Sequence, residues 1–99
     1  MTTLTRDEIR AAVEAARGET EQFLCDLIRF PSTPGKEQEA MEYIAKRFAE
    51  FGEVAKVPLS NALREDEDYS TPIPDIDYTG RCNVRFRLPG RGGGQRLLV

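Results

Sequence analysis

No histidine occurs in this chain of 99 residues. That absence excludes Ser-His-Asp and Cys-His catalysis within the chain, because both need an imidazole to take the nucleophile's proton. It also excludes His-ligated zinc. Cysteine is nearly as scarce. Cys25 and Cys82 are the only two, too few for a thiolate metal site or a disulfide framework. The expectation is two small buried thiols in a reducing, cytoplasmic setting. No apolar run approaches the roughly 20 residues of a membrane-spanning helix, so no membrane partner is expected. Met1 is followed by polar and then charged residues, unlike a secretory signal. Positive charge is in deficit, with 14 Lys+Arg against 17 Asp+Glu and a formal net charge of −3. That balance argues against a general nucleic-acid binder, which must displace counterions from phosphate. The length allows one domain at most.

The residues that are present order themselves along the chain. Thr5 and Glu8 have capping-box spacing. Ile9, Val13, Ala16, Phe23, Leu24, Leu27 and Ile28 then recur at helical intervals. This predicts one helix over residues 6–29, bent at Gly18 and stopped where Pro31 pushes Phe30 out of helical geometry. A stiff turn through Pro31 and Pro34 leads to a second helix over residues 36–51. Its stripe is Met41, Ile44, Ala45, Phe48 and Phe51, and Gly52 is placed as a left-handed cap. Both stripes are expected to face one core. Residues 54–59 are β-prone. Residues 61–79 form an expected exposed acidic loop, with Glu65, Asp66, Glu67, Asp68, Asp75 and Asp77 and no base after Arg64. Residues 82–88 alternate, with Cys82, Val84, Phe86 and Leu88 on one face and Asn83, Arg85 and Arg87 on the other, which predicts a strand with one wet face. After a turn through residues 89–94, Leu97, Leu98 and Val99 predict the start of a strand buried on both faces.

Three segments invite chemical readings. Gly90-Arg91-Gly92-Gly93-Gly94-Gln95 lacks the sixth-position glycine and the following helix of a dinucleotide loop, and lacks the Gly-Lys-Ser/Thr of an ATP loop. It reads as a connection between strands. Arg81, Arg85, Arg87, Arg91 and Arg96 have no acid among them, but a single-strand RNA surface would interleave aromatic platforms, and Phe86 alternates onto the opposite face. The acidic segment lacks the alternate spacing, central glycine and terminal glutamate of a calcium loop. Its carboxylates have nothing nearby to bury them and raise their pKa.

The string Phe23-Leu24-Cys25-Asp26-Leu27-Ile28-Arg29-Phe30-Pro31-Ser32 resembles the opening helix and Leu-Ile-x-x-Pro-Ser turn of metallopeptidase family twenty. Aminoacylase, acetylornithine deacetylase, succinyl-diaminopimelate desuccinylase, carboxypeptidase G and peptidase T are members. Gly35-x-Glu37 resembles that family's Gly-x-Glu at the second helix, and Phe51-Gly52 its Leu/Phe-Gly before the first strand. Gly80-Arg81-x-Asn83-Val84 resembles its Arg-Pro-Asn-Val, with Cys82 in place of proline. Leu88-Pro89-Gly90 and the glycine turn then lead to Leu97-Leu98-Val99. The resemblance spans nearly the whole chain outside residues 61–79.

The resemblance implies an α/β fold in which residues 1–99 are the N-terminal portion of a zinc-peptidase-like catalytic domain: two helices, an edge hairpin and the start of a buried strand. It implies a parent enzyme that hydrolyses amide bonds of small peptides or N-acyl amino acids. In that family a metal-bound water of lowered pKa attacks the amide carbonyl at a pair of Zn²⁺ or Co²⁺ ions. The first ligand lies in a His-x-Asp motif that would follow residue 99, and a lid domain that would also follow often makes a homodimer. Within residues 1–99 the expectation is therefore no catalytic, cofactor-binding or metal-ligating residue, and neither Glu37 nor Asp75 is assigned as a ligand. The alternative is a small non-catalytic αα-hairpin and β-ribbon interaction module.

Overall fold

A computed structural model of the chain describes residues 3–71 and 75–99. Helix α1 spans Arg6–Ala15 and begins at Thr5. The Thr5 backbone N–H donates to Glu8 Oε2 at 2.8 Å, and Thr5 Oγ1 accepts from the Glu8 backbone N–H at 3.2 Å. This is the reciprocal capping box that the spacing predicts. Helix α2 spans Arg17–Ile28. Two helices thus stand where periodicity predicts one, and the break falls at Ala16 rather than Gly18. The cause is Thr20. Its hydroxyl donates to the Ala16 carbonyl at 2.9 Å, beside the bond from its own backbone N–H at 3.0 Å. Such side-chain back-bonding bends helices.

Helix α3 spans Gln38–Phe48, shorter at both ends than the predicted 36–51. At its start Gly35 takes φ 87°, and the Lys36 N–H bonds back to Thr33, so the chain is still in a turn. At its end Glu50 and Phe51 donate to Arg47 and Phe48, a tighter three-residue spacing that closes the last turn. Strands β1 (Glu53–Pro58) and β2 (Cys82–Arg87) pair antiparallel, from Glu53 opposite Arg87 to Pro58 opposite Cys82. The fold is a mixture of helix and strand. That register puts Val54, Lys56, Val84 and Phe86 on the face that meets α3, where the Phe48 and Phe86 ring centroids lie 5.2 Å apart. Asn83, Arg85 and Arg87 take the wet face, as the alternation predicts.

The packing centre is a layer of rings. Phe23 of α2 stacks on Tyr43 and Phe48 of α3 at 5.7 and 6.0 Å, and Phe30 tilts against Tyr43 at 5.1 Å. Among the described residues the buried hydrophobic ones are Ala40 and Ala45, both on α3. The expectation that both helical stripes face one core is corrected here. Helix α1 packs against no element other than its neighbour α2, and Ile9, Val13, Leu24 and Ile28 are exposed. The radius of gyration is 17.7 Å, against about 13 Å for a compact chain of this length. The accessible surface is 8902 Å², where a compact protein of this mass shows about 5,700 Å².

Three further expectations need correction. Leu97, Leu98 and Val99 form no strand and are almost fully exposed, standing apart from the two-stranded sheet. Cys25 is exposed and Cys82 half-buried, so neither is a core residue. The Cys25 position lies off the α2 face that Phe23 and Leu27 turn inward. Gly52 is not a left-handed cap. A Cβ there would lie 2.7 Å from the Arg87 carbonyl oxygen and 2.8 Å from the Phe86 ring. Glycine is needed at 52 so that β2 can close on the end of α3.

At Gly18, by contrast, an added Cβ meets nothing within 4 Å. Gly18→Ala should therefore stabilise the chain by about 1 kcal/mol, through helix propensity alone. Gly52→Ala should destabilise it by about 1–3 kcal/mol through overpacking. Urea unfolding followed by circular dichroism checks both, and like signs for the two variants would contradict the stated role of Gly52.

Candidate functional site

The most organised cluster of polar side chains joins two segments far apart in sequence. Glu37 stands immediately before α3, with its side chain turned away from the helix amides. Its Oε1 accepts from the Gly35 N–H at 3.1 Å, and its Oε2 accepts from an Nη2 proton of Arg81. The Gly35 turn aims the carboxylate, because its left-handed φ directs that N–H back across the loop. Arg81 is aimed from the other side by Gly80, at φ 76°, and lies over the Tyr78 ring at 5.8 Å. The two charged side chains are 32% and 23% exposed, so water screens them only in part. Partial burial works against the charge on Glu37. The Glu37 and Gly35 backbone groups and Arg81 outweigh it and hold the carboxyl below its ordinary value. Nη1 of Arg81 is buried with no hydrogen-bond partner among the described residues.

The cluster continues into the acidic segment, which is less free than its composition predicts. Residues Asn61–Glu65 form a 3-10 helix. Asn61 Nδ2 donates to Asp77 Oδ1 at 3.0 Å, and Asn61 Oδ1 accepts from the Tyr78 N–H at 2.9 Å. The Tyr69 and Tyr78 hydroxyls share a hydrogen bond of 2.9 Å, their rings meeting edge to face. That bond is the main reason the Tyr78 phenol is raised above its ordinary pKa. Asp77 accepts from the Thr79 N–H at 3.0 Å. This bond first, then those from Asn61 and the Thr79 hydroxyl, lowers its carboxyl from 3.8 to about 2. Composition identifies this stretch only as acidic and aperiodic. The one advance signal for its anchor is the isolated Asn61 facing an Asp77-x-Thr79 turn. Pro72 and Pro74 of the predicted loop lie outside the described residues.

Elsewhere the charged groups tie elements together. Lys56 Nζ donates to both Glu42 oxygens at 2.8 and 2.7 Å, fastening β1 to α3. That contact raises Lys56 and lowers Glu42. A groove of about 300 Å³ runs between α2 and α3, walled by Glu19, Phe23, Arg47, Phe48 and Phe51. Gly90, Arg91, Gly92, Gly94 and Gln95 curl around an open space of about 520 Å³.

Two features characterise the ionisable groups of this arrangement. The shifted carboxylates move down, and Lys56 and Tyr78 move up. These shifts take each group away from the neutral range in which a general acid or base works best. Among the described residues no three His, Cys, Asp or Glu side chains converge as metal ligands. Glu37 is engaged with Arg81, and Asp75 lies in a turn with φ 60°. No described helix is long and apolar enough to cross a membrane. Set against known proteins, the chain matches no family model, no curated protein and no solved structure.

Two measurements test the cluster. Arg81→Ala should cost about 2 kcal/mol, the scale of a charge-assisted hydrogen bond made away from bulk water. Arg81→Lys, which keeps the charge but loses the planar stack on Tyr78, should cost about 1 kcal/mol. Urea unfolding supplies the comparison, with exposed Arg85→Ala as control, and equal losses from Arg81→Ala and the control would dismiss the contact as incidental. The second concerns Asp77. Its folded pKa is depressed, so its contribution is complete above 3.8 and is lost as the pH falls toward about 2. Asp77→Asn should therefore be less stable than the parent chain at neutral pH, and the gap should close as acid is added through that window. A gap independent of pH would mean that the Asp77 charge contributes nothing.

Proposed function

We propose that residues 1–99 are the N-terminal part of the catalytic domain of a two-metal hydrolase that cleaves amide bonds in small peptides or N-acyl amino acids. The observation that carries this reading is the ordered series of short motifs: Pro31-Ser32, Gly35-x-Glu37, Phe51-Gly52 and Gly80-Arg81-x-Asn83-Val84. Support comes from the way two of these motifs meet. The glutamate of Gly-x-Glu is bonded to the arginine of the strand motif, 44 positions later. The Phe51-Gly52 step gives a second point of support, since Gly52 lies against Phe86 and Arg87 of that same strand. Exposed Ile9, Val13, Leu24, Ile28, Leu88 and Leu97 add apolar surface of the kind a further layer of a catalytic domain would cover.

The residues described do not fit a metal pair. There is no histidine in the chain, and no acidic cluster converges among the described residues. No step of hydrolysis is assigned to them. Their part in this reading is structural: the helical layer and the sheet edge on which a metal-bearing segment would rest. Cytoplasmic location and a homodimer formed through a lid domain belong to the same proposal.

Reading the source transcript past the Val99 codon tests the assignment. A His-x-Asp motif within a few codons is the expected result. A stop codon there would overturn the hydrolase and leave the αα-hairpin and β-ribbon interaction module as the reading. Zinc titration of residues 1–99, followed by calorimetry, should show no stoichiometric site. Tight one-to-one binding would refute the placement of every metal ligand outside these residues.

A further inference from the structure

We draw no further inference here: the strongest candidate, the groove between α2 and α3 floored by Phe23, Phe48 and Phe51 with Arg47 on its wall, is an uncovered apolar face whose arginine Nε is itself buried beside Glu50, and nothing in the structure shows what covers it.

Discussion

The fold depends on the Phe48 ring. It meets both Phe23 of α2 and Phe86 of β2, so a single side chain on α3 ties the helical layer to the sheet. Aromatic pairs of this kind contribute about 0.5–1.5 kcal/mol each beyond the area they bury. Among the described residues only Ala40 and Ala45 are buried hydrophobics, and Tyr43 of α3 joins the ring layer on its helical side, against Phe23 and Phe30. The requirement for glycine at 52 follows directly: the Phe86 ring reaches Phe48 by crossing the backbone just beyond α3. Arg47 also depends on the layer. It lies over Phe23 at 5.7 Å, with an Nη1 proton directed at the Tyr43 hydroxyl.

Polar contacts hold the periphery of this layer and determine how its outer segments are arranged. Glu37 with Arg81 fixes the start of α3 against the chain entering β2, and Glu42 with Lys56 fixes the middle of α3 against β1. The two differ in value. Glu42 and Lys56 are each about half exposed, at 49% and 48%, and exposed pairs contribute about 1 kcal/mol or less. The Glu37–Arg81 pair is better shielded and also carries the Tyr78 stack, which transmits order through Asn61 and Tyr69 into the acidic segment. A long connection between two paired strands would otherwise be held only at its ends, at the full entropic cost of closing it.

The sequence reveals the local features well and the distant ones poorly. The Thr5–Glu8 cap, the stop at Phe30-Pro31 and the inward face of Val84 and Phe86 are all legible, because each depends on residues within a few positions of one another. The break at Ala16 escapes because the extra bond from the Thr20 hydroxyl to the Ala16 carbonyl leaves no trace in the apolar periodicity. The buried thiol expected at Cys25 fails for a related reason. Apolar neighbours in sequence do not establish a shared face when the helix has one narrow contact stripe. Glu37 and Arg81 are both visible as motif residues, yet nothing in either segment indicates that they bond to each other. The role of Asn61 is hidden in a stretch without period, where composition alone describes a solvated loop.

The state of the titratable groups bears on what the chain does. Glu37, Glu42, Lys56, Asp77 and Tyr78 are all shifted; hydrogen bonds dominate the shifts of Glu42, Lys56, Asp77 and Tyr78, and at Glu37 local backbone groups and then Arg81 outweigh burial. Perturbed groups gathered in a cleft would be evidence for catalysis. Here they are distributed along the contacts between α3, the sheet and the acidic segment, and every one moves away from neutrality. Charge in this chain is spent on holding elements in register.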